Sequence, residues 1–197
     1  MTLEGFSILF LSIIANFYSA IYASERASNS VTDIVLSNIP VYDVDGTFIY
    51  GPFLMWTFVI ILCLYKPSRI PFILKSIALF VLIRSVFISL THISPFPDQV
   101  IINTAGFIGW FTSGSDLFFS AHTGLPFLLS LIFWDNVYLR VIFFALSIIF
   151  GIVVLLGHLH YSIDVLSAFF ITYAIYHIAV RIFKKDWGMF SSNLEAK

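Results

Sequence analysis

Two histidines and an aspartate form the pattern in this chain that is best suited to chemistry. His160 and Asp164 are four residues apart in GHLHYSIDV, and a helix would place them on one face, about 5–6 Å apart at Cβ. A carboxylate there can accept the imidazole N–H, which fixes the tautomer and raises the basicity of the other ring nitrogen. That nitrogen could attack phosphorus, while His122, in SDLFFSAHTG, could protonate the leaving oxygen. The pattern predicts phosphoryl transfer through a phosphohistidine.

The same residues allow two other interpretations. His160 and Asp164 could be a buried structural pair without chemistry. Alternatively, His158, His160 and Asp164 could hold a metal ion, although histidines two apart do not share a helix face and would need a loop there. Arg84 is a further ionisable residue within an apolar run, and such residues usually face a cavity or a partner. Because Arg84 and His122 are expected at the same depth as His160, we favour a catalytic site without metal or cofactor.

The composition places these residues in a membrane. Of the 197 residues, 59% are hydrophobic and 11% are charged, whereas a soluble domain normally has about 25% charged residues. A spanning helix needs roughly 20 apolar residues, so the chain has room for about six helices and for no second domain. The net charge of -1 gives no case for nucleic-acid binding. Cys63, the single cysteine, lies in an apolar run and is expected to be a buried structural thiol.

The apolar runs predict an all-α protein with six transmembrane helices in a single domain, residues 1–197. The first run has no basic segment in front of it, so we expect a retained helix rather than a signal peptide. Residues 99–114 are too few to span and are expected at the interface. The polar residues 187–197 are expected to form a loose tail. The helices are predicted at about residues 5–23, 48–65, 72–93, 118–134, 138–157 and 161–183.

The basic residues favour one orientation of these helices. Lys and Arg are enriched in cytoplasmic loops, so both termini are expected to be cytoplasmic and the histidine segments to lie at the non-cytoplasmic face. The opposite loops are acidic and hold Arg26 as their only basic residue. A bacterial inner membrane or a eukaryotic secretory or plasma membrane would fit. The three basic regions contain Lys66, Arg69 and Lys75, then Arg140, then Arg181, Lys184 and Lys185.

Both histidine segments resemble motifs of a known family. SDLFFSAHTG, residues 115–124, is similar to the Gly-Asp…Ser-Gly-His-Thr motif of sphingomyelin synthases, and HYSIDVLSAFFITY, residues 160–173, to their His-Tyr-Thr-Ile-Asp-Val motif. Residues 80–98 resemble a family segment with an arginine before a turn, and residues 39–44 weakly resemble a Pro-Leu-Pro-Asp loop. The resemblance covers about residues 36–178. It is to the sphingomyelin synthase-like branch of the type 2 phosphatidic acid phosphatase superfamily.

The resemblance implies a role for each matching residue. His160 corresponds to the nucleophile, Asp164 to its orienting acid, and His122 to the histidine that serves the leaving and incoming alcohols. Arg84 corresponds to the family arginine of the third helix. The implied partners are a phospholipid donor, a lipid alcohol such as ceramide or diacylglycerol, and the bilayer. The other residues expected at the substrate are Asp116, Ser120, Thr123, His158 and Tyr161, the last of which could instead anchor its helix at the interface.

The chain also departs from the family pattern. Ala121 replaces the usual glycine before the motif histidine, and Leu159 stands where synthases often have aspartate, a role that His158 could take. The Lys…Arg-Pro and Ser-Arg motifs of the plain phosphatases are absent, with Val154 six residues before His160, which favours the synthase-like branch. A hydrolase on the same site, either a lipid phosphatase or a phospholipase C-like enzyme, is the main alternative. A non-catalytic transporter or scaffold is the second.

Overall fold

The computed structural model describes residues 1–100 and 117–195, and in these ranges the chain forms helices and turns without a strand. Short 3₁₀ turns lie at Leu36–Asn38 and Pro67–Arg69. The predicted helix boundaries agree to within about three residues for every apolar run except the fourth. The helices are α1 (Thr2–Arg26), α2 (Asp45–Tyr65), α3 (Ile70–Leu90), α4 (Ala121–Ile132), α5 (Val137–Leu156), α6 (Ser162–Ile182) and α7 (Lys184–Glu195).

Five of the described helices are long and apolar enough to cross a membrane: α1, α2, α3, α5 and α6. The fourth predicted span, residues 118–134, is shorter than expected, because α4 has 12 residues. At 1.5 Å per residue it is about 18 Å long, against a hydrocarbon core of about 30 Å. The helix starts late because Phe118 and Phe119 have φ of 152° and 24°, which no α-helix allows. Six spans therefore stay a prediction.

The central helix α4 packs between α5 and α6 and also touches α3. Gly124 permits the close approach, because a Cβ at this position would lie 2.7 Å from the Phe80 ring of α3 and 2.9 Å from Thr172 Oγ1 of α6. The other large helix contact joins α1 to α3 along their lengths. A continuous apolar core results, in which Phe80, Leu128 and Phe143 are fully buried.

An ion cluster joins three elements at one end of the bundle. Lys75 Nζ lies 2.9 Å from Glu4 Oε2 and 2.9 Å from Asp186 Oδ2, so the starts of α1, α3 and α7 are held together. In place of the loose tail predicted for residues 187–197, the described part continues α7, and its Phe190 is fully buried. Both ends of the described chain therefore lie at this end of the bundle, opposite the histidine segments.

The loop between α1 and α2 covers the other end. Ser28 N donates to His92 O at 2.8 Å, and Tyr42 N donates to Leu156 O at 2.9 Å. These bonds tie the loop to the ends of α3 and α5. The loop therefore forms part of the surroundings of residues 157–164.

Candidate active site

His160 and Asp164 are in contact, as their spacing predicts, but not on one helix face. Helix α6 begins at Ser162, so His160 belongs to the turn before it. His160 Nδ1 lies 3.2 Å from Asp164 Oδ2, and the same oxygen accepts the Tyr161 N–H at 3.1 Å. A carboxylate at the third position of a helix commonly reaches back in this way, because the first N–H groups have no helical acceptor. The predicted hydrogen bond between His160 and Asp164 is confirmed.

Burial makes this pair rigid. Asp164 is 1% exposed and His160 is 7% exposed, so water does not compete for their hydrogen bond. An imidazole that donates from Nδ1 carries its lone pair on Nε2, the nitrogen that could attack phosphorus. The turn thus presents one histidine in one tautomer.

The start of α4 is bonded to the start of α6. Ser120 N donates to the Asp164 carbonyl at 3.0 Å, and Ser120 Oγ caps α4 by accepting from Thr123 N at 3.4 Å. Thr123 faces α5: a Cβ on Gly151 would lie 3.3 Å from its Oγ1, and its carbonyl accepts from Ser147 Oγ at 2.7 Å. Ser120 and Thr123, both predicted at the substrate, are fully buried. They position the first turn of α4, which carries His122.

His122 is half-buried in a cage of aromatic rings. It stacks on Phe48 of α2 with a centroid separation of 4.1 Å and meets Phe150 of α5 edge-on at 6.5 Å. It lines a cavity of about 110 Å³ together with Met55 and Trp56 of α2. His160 is not among the residues that line this cavity, so the action of both histidines at one catalytic site stays a prediction.

Phe48 also connects the two histidine segments. Besides stacking on His122, its ring belongs to a buried cluster with Val44, Val154 and Leu159. Leu159 directly precedes His160. One aromatic side chain therefore packs against both segments at the same end of the bundle.

Arg84 binds the strained turn in front of α4. Its Nε donates to the Phe119 carbonyl at 3.2 Å, its Nη1 lies 3.4 Å from Asn16 Oδ1, and the side chain is 5% exposed. Backbone held in such positive-φ conformations persists only where its surroundings fix it, and this tends to occur at functional sites. The guanidinium charge lies at the N-terminal end of α4, where the helix dipole also favours an anion.

Asp33 is a buried residue of this region that the sequence analysis missed. Its Oδ2 accepts from Ser162 N at 2.7 Å and from Ser162 Oγ at 2.8 Å, and its Oδ1 accepts from Val35 N and Leu36 N. Burial alone would raise the pKa of Asp33, but these four hydrogen bonds lower it below its ordinary value. No local sequence pattern pointed to Asp33, because its partner Ser162 is 129 residues further along the chain.

Tyr161 and His158 lie beside the pair but differ in their bonding. Tyr161 OH donates to Ser94 O at 2.8 Å and accepts from Val31 N at 3.3 Å, so protein groups occupy the places a phosphate oxygen would take. Burial raises the pKa of this phenol. His158, with φ of 52°, is 3% exposed, and neither ring nitrogen has a hydrogen-bond partner within residues 1–100 and 117–195.

The remaining site predictions concern a metal and Asp116. No group of three or more His, Cys, Asp or Glu side chains suited to a metal ion occurs in the part of the chain that the structure describes. The alternative set of His158, His160 and Asp164 is not among such groups. Asp116 lies outside the described residues.

The comparison with known families agrees with this geometry. A family described as PAP2 superfamily C-terminal matches residues 114–181, about a third of the chain, which include His122, His160 and Asp164. The match supports the PAP2 superfamily, whose members are generally enzymes that act on phosphate esters, and with it phosphatase or phosphotransferase chemistry on lipids. No curated protein and no solved structure matches the chain.

Proposed function

We propose that this protein is a membrane phosphotransferase of the sphingomyelin synthase type. It moves a phospho-headgroup from a phospholipid to a lipid alcohol, such as ceramide or diacylglycerol, through a phosphohistidine on His160. The observation that carries the proposal is the 3.2 Å contact between His160 Nδ1 and Asp164 Oδ2, which lies inside the family-matched segment. A histidine oriented by a buried carboxylate is the arrangement that nucleophilic catalysis needs.

The first half of the reaction forms the phosphohistidine. The Nε2 lone pair of His160 attacks phosphorus, the N–P bond forms, and the P–O bond to the diacylglycerol oxygen breaks. His122 gives its proton to that oxygen, and Asp164 stabilises the positive charge that develops on the His160 ring. Arg84 and the N-terminus of α4 stabilise the negative charge on the phosphoryl oxygens.

The second half reverses these steps with a different alcohol. The hydroxyl of the acceptor lipid gives its proton to His122, its oxygen attacks phosphorus, and the N–P bond breaks. His160 returns to its starting tautomer, and His122 is again protonated. Water in place of the alcohol would make the protein a hydrolase, so the acceptor that reaches the phosphohistidine determines the activity.

The proposed setting is a six-helix membrane bundle with the site at the non-cytoplasmic face. Five helices of spanning length and the short apolar α4 support this arrangement. The cluster of Lys75, Glu4 and Asp186 at the opposite end supports a cytoplasmic location for both termini, because that end also carries the basic α2–α3 connection. A cysteine at position 115 that reacts only with reagents added from the cytoplasmic side would contradict this orientation.

A reconstituted transfer assay tests the function. Purified protein in vesicles receives labelled phosphatidylcholine or phosphatidylethanolamine, with and without ceramide, and products are identified by mass spectrometry. Transfer predicts labelled ceramide product together with diacylglycerol, whereas free phosphorylated headgroup without ceramide would favour the hydrolase. His160→Ala should abolish both products. The matched control is His177→Ala, because His177 packs against Tyr173 of α6, and it should retain activity. Activity retained in His160→Ala would contradict the proposal.

A further inference from the structure

A second, larger cavity opens next to the one that contains His122. It has a volume of about 590 Å³ and is lined by residues of α1, α2, α3 and α4. Almost all of its lining is apolar, for example Ile13, Val59 and Ile77. Cys63, predicted to be a buried structural thiol, is partly buried and lines this cavity. We refer to it as the α1–α3 cavity.

The cavity is too large to be a packing defect. Protein interiors contain few voids larger than a water molecule, whereas small-molecule sites measure about 300–1,000 Å³. Along α3 its lining runs from Ile70 to Arg84, which is roughly 21 Å of helix. One leaflet contributes roughly 15 Å of hydrocarbon, so the cavity is long enough to pass the bilayer midplane. Its shape and lining suit a hydrocarbon chain.

The polar lining of the cavity lies at one end. Asn16 and Arg84 are there, together with Ala121 from the first turn of α4. The guanidinium charge and the helix N-terminus both favour an anion at this end. A neutral lipid would gain nothing from that charge, whereas a phosphate-bearing lipid would. This charge, together with the lining shared with the His122 cavity, therefore favours a phospholipid over a lipid alcohol as the occupant.

We infer that the α1–α3 cavity binds one acyl chain of the phospholipid donor, with the lipid phosphate at the Arg84 end. The identification of the occupant as the donor rests on the proposed function. Trp56, Ala121 and Leu125 line both this cavity and the smaller one that contains His122, so the two are neighbours. A lipid whose chain occupies the larger cavity has its headgroup close to the side chain that protonates the leaving oxygen.

The route into the cavity is lateral. Helix α1 packs along α3, and α2 packs against α5, so the cavity between α1 and α2 can admit a chain from the bilayer. An acyl chain then enters sideways, without leaving hydrocarbon. Its burial replaces contact with other lipids and costs no exposure to water.

Photolabelling tests where the chain lies, and it does not depend on turnover. Vesicles contain phosphatidylcholine with a photoreactive group at the end of one acyl chain, and the labelled residues of the protein are mapped by mass spectrometry. The inference predicts label on residues at the far end, such as Ile70, Ile73 and Leu74. Label confined to bilayer-facing side chains outside the cavity, such as Phe10 and Ile61, would overturn it.

Two valines of α3 provide a matched pair of variants. Val81 lines the cavity, whereas Val86 is 57% exposed and is absent from the lining. Val81→Phe should lower cavity labelling about tenfold, because a phenyl ring that clashes with a bound acyl chain should weaken its binding by about that factor. Val86→Phe should leave cavity labelling unchanged. Equal labelling in the two variants would overturn the inference. If Val81→Phe fails to fold, the positions labelled in the wild-type protein still test whether an acyl chain occupies the cavity. Cavity labelling without lipid transfer would contradict the proposed function and leave the binding site standing.

Discussion

Replacing Asp164 by Asn should slow the reaction far less than the corresponding change in a serine protease triad. One oxygen, Asp164 Oδ2, accepts both from His160 Nδ1 at 3.2 Å and from Tyr161 N at 3.1 Å. In Asp164→Asn the amide oxygen must occupy that position, because an NH₂ group there would face the fixed backbone N–H. The amide oxygen then still accepts from His160, so the reactive tautomer is preserved.

The expected loss of rate in Asp164→Asn comes only from the loss of the negative charge. A hydrogen bond to a charged group contributes about 1.5–3 kcal/mol and a neutral one about 0.5–1.5, a difference that corresponds to roughly a tenfold change in rate. The protease variant loses about 10⁴ because its histidine adopts the wrong tautomer. Asp164→Ala is different, since it leaves two buried donors without an acceptor, each at a cost of about 1–3 kcal/mol. We expect Asp164→Ala to be much slower than Asp164→Asn.

The assay follows the phosphoryl-transfer step itself. Detergent-solubilised protein is mixed rapidly with a nitrophenyl phosphodiester, and the first-turnover release of nitrophenolate is recorded for wild type, Asp164→Asn and Asp164→Ala. Thermal unfolding of each variant controls for loss of the fold. A loss of about 10⁴ in Asp164→Asn would show that the amide does not keep its oxygen toward His160. Equal losses in both variants would also refute the argument from the shared oxygen.

Three further changes test other parts of the structure. His122→Ala should still form phosphohistidine from a nitrophenyl substrate, because that leaving group needs no proton, while its rate with natural lipid should fall by about 10² or more. Both reactions are quenched and the phosphohistidine is measured by mass spectrometry. Equal losses of rate on the two substrates would contradict the role of His122 as the proton donor. Because the native pKa of Asp33 is lowered, its stabilisation is complete above the unfolded carboxyl pKa of about 3.9 and is lost as pH falls through the native value. The melting temperature of the wild type should therefore fall at acidic pH. Asp33→Asn should have a lower melting temperature at neutral pH, and that temperature should change less as the pH falls. Melting temperatures that fall in parallel with pH in the two proteins would contradict this. Gly124→Ala should destabilise the fold by about 1–3 kcal/mol through its clash with Phe80, whereas Gly46→Ala, with open space around it, should not; similar melting temperatures would argue against the close helix approach.

The membrane helices could be predicted because lipid imposes a simple rule on sequence. An apolar run of sufficient length must satisfy its own backbone hydrogen bonds, so hydropathy located α1, α2, α3, α5 and α6. The start of α4 could not be placed, since the positive φ values of Phe118 and Phe119 depend on the carbonyl contact with Arg84. The helical end of the chain was missed because its polar composition conceals a few packed side chains.

The candidate site was likewise predicted only in part. The pairing of His160 with Asp164 follows from their spacing, whereas its geometry depends on where α6 begins. Asp33 was beyond prediction, because its partner Ser162 is 129 residues away and no local pattern links a loop acid to a distant helix start. The internal partners of the Tyr161 hydroxyl could not be predicted either, because they also come from distant segments.

The bond between Asp33 and Ser162 has a consequence for biosynthesis. A nascent chain leaves the ribosome from its N-terminus, so Asp33 is made long before its partner, which is 129 residues further along. The Asp164 carbonyl that accepts from Ser120 N is also in the last spanning helix. Every contact that orients His160 is therefore completed only when α6 inserts. Chains that stop before this helix lack Asp164, the carboxylate that orients His160, so we expect incomplete translation products to be inactive on the lipids around them.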